Sequence, residues 1–153
     1  NKNITTIIHL ASYKDINESI TNPIEYYENN ILITLNILKV IQEYNIKHLI
    51  FSSSASILNG NKSITNINKL TNPYAKTKLI CEEMIKDTAS INNFTYTILR
   101  YFNPYGFTLD IDIFPFIKKN TNIFFKVQHH LLIDNKTPFK VYGNTYNTCS
   151  IGI

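Results

Sequence analysis

The chain has 153 residues, 44% of them hydrophobic, which is the length and balance of one ordinary domain with a single core; its surplus of Asn, Ile, Lys and Tyr reflects AT-rich coding and does not require disorder. The formal charge is +4, but the lysines are scattered and form no basic stripe interleaved with aromatics, which argues against a nucleic-acid partner and leaves an anionic small molecule as a fitting one. There is no signal-peptide pattern and no apolar run long enough to span a bilayer, so a soluble, cytoplasmic protein with no membrane association is expected.

Residues 4–10 form a short β-branched run that ends in Ala11-Ser12, the profile of a buried strand. Pro23 then opens a long segment to about residue 44, with Ile31, Leu35, Leu38 and Ile41 at helical spacing. Residues 47–53 read as a second apolar strand whose last residues are small and hydroxylated, and a polar loop rich in Asn and Ser follows over about 59–72. Pro73 suits a helix first turn, where its missing amide hydrogen costs nothing. A helix is predicted over 74–90, with Leu79, Met84 and Ile85 among its apolar positions, and a third strand over 94–101. Strands separated by helices of this length predict an α/β fold of βαβ units, a three-layer parallel sheet with helices on both faces. In such sheets ligands bind beyond the carboxyl ends of the strands, where residues 9–14, 52–54 and 102–104 converge. After Gly106 the alternation fades, with an apolar helix expected over 111–126 and a small strand over 139–142.

Tyr74 and Lys78 are the chemically suggestive pair. On a helix, i and i+4 share a face, so both can point into one cleft. An ammonium near a phenol favours the phenolate, which would make Tyr74 a base at a pH well below its ordinary pKa. A hydroxyl of the Ser52-Ser53-Ser54 cluster could hold the substrate oxygen whose proton moves. The spacing alone equally describes a solvated helix face. His9 reads as a packed histidine. His129-His130 point apart on one element and lack a completing carboxylate or cysteine cluster, so no metal site is expected. Cys81 and Cys149 show no zinc or redox spacing and suit a reducing compartment. The Asn-x-Ser/Thr sequons at Asn3, Asn17, Asn61, Asn93 and Asn135 follow from Asn abundance.

Several motifs in order resemble the extended short-chain dehydrogenase/reductases, and within them the NAD-dependent nucleotide-sugar epimerases. They are Ile7-Ile-His-Leu-Ala-Ser-Tyr-Lys14, Glu18-Ser19 with Asn22-Pro-Ile-Glu-Tyr-Tyr-Glu-Asn-Asn30, Phe51-Ser-Ser-Ser-Ala-Ser56, Pro73-Tyr-Ala-Lys-Thr-Lys78 and Leu99-Arg-Tyr-Phe-Asn-Pro-Tyr-Gly106. The resemblance implies a partial Rossmann-like fold, with residues 1–106 the latter part of an NAD-binding domain and 107–153 a divergent part of a substrate-binding region. It implies Tyr74 as base, Lys78 as its pKa-lowering partner and ribose ligand, and Ser54 as the hydroxyl that orients the sugar. Lys14, Asn29 and Tyr101 would contact NAD, and Asn103 the UDP-sugar. The implied reaction interconverts UDP-glucose and UDP-galactose through a 4-keto intermediate. The resemblance also implies a homodimer through a bundle of the two long helices, whose apolar spacing equally suits packing on the sheet.

The pattern breaks in several places, among them Leu58-Asn59, which stands where the family ends its serine strand with an aromatic residue and a glycine. A dinucleotide cradle needs closely spaced glycines at the end of a first strand, because side chains there would collide with the phosphates. The glycines here, Gly60, Gly106, Gly143 and Gly152, are far apart. After Tyr142-Gly-Asn-Thr-Tyr146 the family's Asp-Gly-Thr-Gly and arginine are replaced by Cys149-Ser150-Ile151-Gly152. The expectation is therefore a piece of a longer epimerase, or the product of a degenerate gene, inactive by itself. Two other readings stand beside it: a sibling enzyme on the same scaffold, and a non-catalytic remnant or binding module. A dehydratase is disfavoured by the absence of an acidic pair at Ala55-Ser56.

Overall fold

A computed structural model of the chain describes residues 4–58, 66–102 and 104. The chain divides into two compact units, Asn1–Tyr101 and Phe102–Ile153, and every element described belongs to the first. In order these are β1 (Thr6–His9), α1 (Ile16–Thr21), α2 (Pro23–Tyr44), β2 (His48–Ser54), a 3₁₀ turn (Ala55–Leu58), a second 3₁₀ turn (Ile67–Lys69), α3 (Pro73–Asn92) and β3 (Thr95–Tyr101). The residues expected to form a helix over 111–126 and a strand over 139–142 lie outside the described residues.

Local chemistry explains the helix limits. The Asp15 carboxylate caps α1 by accepting from Glu18 N at 3.0 Å. Pro23 and Pro73 occupy the first turns of α2 and α3, and Asn72 Oδ1 accepts from Ala75 N at 2.8 Å to cap α3. Both long helices stop at an asparagine in the left-handed region, Asn45 (φ 53°) and Asn93 (φ 52°). Glycine is the usual residue for that conformation, and asparagine is the side chain that tolerates it best after glycine.

The three strands pair in the order β1-β2-β3, all parallel, with His9 beside Phe51, Phe51 beside Ile98, and Ser54 beside Tyr101. Side chains in register share a face. Leu49 and Phe51 of β2 therefore pack with Leu38 and Ile41 of α2 and with Cys81, Ile85 and Ala89 of α3, while Ile46 and Phe94 close the core at the strand entries. Each such buried large apolar side chain contributes about 1.5–3 kcal/mol. A smaller cluster of Ile57, Leu70, Ala75 and Leu79 fastens the 3₁₀ turns to the start of α3.

The parallel α/β sheet is as expected, and the placement of helices on both faces is not seen among the described residues. The described helices cover a single face of the sheet, and Ile8 on the other face is 62% exposed. The strand order is the reason. Right-handed crossovers that advance in one direction, β1 to β2 to β3, place each helix on the same side, and covering both sides needs a reversal of strand order. The register of α2 also differs from the apolar spacing: Leu35 is exposed, whereas Asn30 and Thr34 are buried beside Tyr26, Leu38 and Ile41.

Candidate active site

The carboxyl ends of β2 and β3, at Ser54 and Tyr101, lie side by side in the parallel register, and β1 ends at His9, level with Phe51 and three residues short of Ser54. Helix α3 starts at this edge and presents Tyr74 and Lys78 from one buried face. Lys78 Nζ donates to the Ser52 carbonyl at 2.8 Å. It lies 4.9 Å from the centroid of the Phe51 ring and 5.9 Å from that of Tyr74, both within cation–π range. Burial lowers the Lys78 pKa from 10.5 to about 8.

Tyr74 differs from expectation. Its phenol is pushed above the ordinary value, chiefly by burial, while the Ser54 hydroxyl, as donor, pulls it back. The ammonium of Lys78 is engaged with the Ser52 carbonyl, and desolvation of the phenolate is the larger effect at Tyr74. Ser54 Oγ accepts from Ser56 N at 3.2 Å, which leaves its proton available for donation toward Tyr74. The three serines are thus not equivalent. Alternation along β2 buries Ser53 under α3, while Ser54 turns to the site.

Lys14 is exposed in the loop after β1, Asn29 is half-buried on α2, and Tyr101 is 40% exposed at the end of β3. Asn103 lies outside the described residues, as do His129, His130 and Cys149. His9 is buried, as a packed histidine would be, with Nε2 3.0 Å from Thr34 Oγ1 and its ring 5.2 Å from that of Phe51. Its Nδ1 is buried without a hydrogen-bond partner. Burial and the nearby Lys78 charge lower its pKa from 6.5 to about 4, so the ring is neutral.

Several residues that position the site are not evident from the motifs. Asn30 fastens the loop that carries Lys14: its Oδ1 accepts from Tyr13 N at 2.8 Å, and its Nδ2 donates to the Tyr13 carbonyl at 3.2 Å and to Thr77 Oγ1 at 3.1 Å. Glu82, fully buried on α3, receives a two-pronged contact from Arg100 of β3. A signal for Glu82 was present. It stands four residues after Lys78 on the face shared with Ile85 and Ala89, where a carboxylate demands a partner.

The described residues can hold part of a dinucleotide. Lys78 has three N–H donors, of which the Ser52 carbonyl takes one, and Tyr101 lies beside Ser54 at the same edge. A phosphate cradle would need closely spaced glycines that the chain does not contain.

The model of the NAD dependent epimerase/dehydratase family matches residues 1–147. UDP-glucose 4-epimerase of Yersinia enterocolitica is 35% identical over 153 residues, covering 95% of this chain and 45% of that protein. The human UDP-glucose 4-epimerase is 32% identical over 149 residues, covering 93% of this chain and 42% of the relative. The crystal structure of UDP-glucose 4-epimerase from Bifidobacterium longum in complex with NAD+ and UDP superposes with a TM-score of 0.61 at 40% identity, over 69% of this chain and 33% of that one. The chain therefore spans less than half the length of these relatives. With a family model matched along nearly its whole length and a parallel βαβ sheet carrying Tyr74 and Lys78 at its carboxyl edge, the chain belongs to the NAD dependent epimerase/dehydratase family.

Proposed function

We propose that the protein to which this chain belongs interconverts UDP-glucose and UDP-galactose by reversible oxidation at C4 of the sugar, with Tyr74 as the general base. The observation that carries this reading is the convergence of Tyr74, Lys78 and Ser54 on one strand edge, with Ser54 aimed at the phenol and Lys78 desolvated beside it. A phenol held above its ordinary pKa is a strong base once ionised, and donation from Ser54 supports the ionised form. Tyr74 Oη takes the proton of the 4-hydroxyl, and Ser54 holds the same oxygen in line. NAD, held by Lys14, Asn29, Lys78 and Tyr101, would supply the reversible hydride chemistry at C4. Tyr74 then gives its proton back to the 4-oxygen, so the protein ends as it began. Lys14, Asn29, Lys78 and Tyr101 are assigned to NAD, and Ser54, Tyr74 and Asn103 to the UDP-sugar. Because the 153 residues contain no closely spaced glycines, the chain by itself is expected to be inactive. Exposed Leu32 and Leu35 on α2 are consistent with a homodimer through the long helices.

Tyr74→Phe in the full-length protein is expected to lower interconversion of the two UDP-sugars by roughly 10²–10⁴-fold with NAD binding retained. Unchanged turnover would remove Tyr74 from the reaction.

A further inference from the structure

Glu82 stands one helical turn beyond Lys78 and has no exposed surface. A carboxylate there is stable only if its oxygens are fully bonded. Arg100 Nε donates to Oε1 at 3.0 Å and Nη2 to Oε2 at 2.8 Å, the parallel fork that fixes both distance and orientation. Ser53 Oγ donates to the same Oε1. Ser53 and Arg100 are register partners on β2 and β3, so one carboxylate from α3 grips two adjacent strands at the same level. The next residue of β2 is Ser54, and the next of β3 is Tyr101. One turn back on α3, Lys78 is bonded to the carbonyl of Ser52.

The helix that carries Tyr74 is thus bonded to β2 at Ser52 and at Ser53, the two residues before Ser54. A hydrophobic pair of similar volume in place of Glu82 and Arg100 would stabilise the fold at least as well, since desolvation offsets most of the Coulombic gain. What a forked pair adds is a fixed geometry between elements.

We propose that Glu82 is a positioning residue that, through Arg100 and Ser53, sets the offset between the Ser54 hydroxyl and the Tyr74 phenol. This rests on the reading of Tyr74 as the base, and it assigns the alignment of that base to a carboxylate that touches neither substrate nor cofactor.

The test uses Glu82→Gln, Ser53→Ala and Tyr74→Phe in the full-length protein, with kcat, KM for UDP-glucose and the pH dependence of kcat measured on variants whose circular dichroism shows them folded. Glu82→Gln is expected to reduce kcat by up to about a hundredfold with KM changed far less, as misalignment of a reacting pair does. Weakened Ser54 donation to the phenolate is expected to move the acidic limb of the kcat profile to higher pH, and Ser53→Ala is expected to move it in the same direction by less. A general loss of stability would lower the folded fraction and leave the limb where it was. An unmoved limb in folded Glu82→Gln overturns the inference, and if that variant does not fold, an unmoved limb in Ser53→Ala does so. Tyr74→Phe separates the two levels. If it is inactive while the limb stays fixed in the other variants, only the positioning role fails; if it keeps full turnover, the base assignment fails as well.

Discussion

Replacing Lys78 by methionine, a side chain of similar length without charge, is expected to stabilise the ligand-free protein, and by an amount that depends on pH in one defined window. Lys78 is 3% exposed, and its pKa falls from an ordinary 10.5 to about 8 because burial penalises the ammonium. Below pH 8 the lysine is charged in both the folded and the unfolded chain, and the folded chain bears the desolvation cost. Between about 8 and 10.5 the unfolded chain holds the proton more tightly, so stability rises with pH there. The contribution of the depressed group is fully present above 10.5 and is lost as pH falls through about 8. The interval corresponds to roughly 3 kcal/mol as an upper scale. Chemical denaturation of wild type and Lys78→Met from pH 7 to 10.5, each carrying Cys81→Ala, measures this directly, because Lys78 and Cys81 influence each other's titration while the burial-raised Tyr74 is common to both proteins. The advantage of Lys78→Met is expected to be largest below pH 8 and to shrink as pH approaches 10.5. A difference that does not vary across this range would refute the assignment of the Lys78 shift to burial.

His9 behaves in the same sense at acid pH. With its pKa lowered from 6.5 to about 4, its contribution is present above 6.5 and lost as pH falls through about 4, a change of roughly 3 kcal/mol at most. His9→Gln should flatten that part of the acid-denaturation curve, read from urea midpoints between pH 7 and 4. Asn72→Ala removes the side-chain acceptor for Ala75 N at the start of α3 and is expected to cost about 1 kcal/mol, seen as a lowered Tm with the same folded spectrum.

The strands and both long helices were legible in the amino-acid sequence, since the helix expected over 74–90 is observed as Pro73–Asn92 and the apolar runs became β1, β2 and β3. Apolar spacing was a poorer guide to which side of α2 faces inward. Toward the site that side is polar: Asn30 bonds Tyr13 and Thr77, and Thr34 bonds His9, so these residues are buried because their polar atoms are satisfied, while Leu35 remains in solvent. Hydrophobic periodicity registers transfer energy and is blind to hydrogen-bond satisfaction. Helices on both faces were expected from βαβ units in general, yet strand order is a property of the assembled sheet. The Tyr74–Lys78 spacing placed both side chains on one face, as expected, but the sign of the phenol's shift depended on the depth of burial, which outweighs the hydrogen bond from Ser54. Glu82 and Arg100 lie 18 positions apart, and only the parallel register of β2 and β3 brings Arg100 level with Ser53.

The run Ser52-Ser53-Ser54 is uniform in sequence and heterogeneous in employment. Position 52 enters through its main-chain oxygen, position 53 through a hydroxyl turned toward Glu82, and position 54 through a hydroxyl turned toward Tyr74. Three identical letters therefore differ in how much substitution they tolerate: the first can exchange its side chain and keep its bond to Lys78, whereas the other two cannot exchange theirs without losing one. Deleting any one of the three would give the same shorter sequence, and it would move the side chains that follow in β2 to the opposite face, so length carries information in this run even where residue identity is redundant.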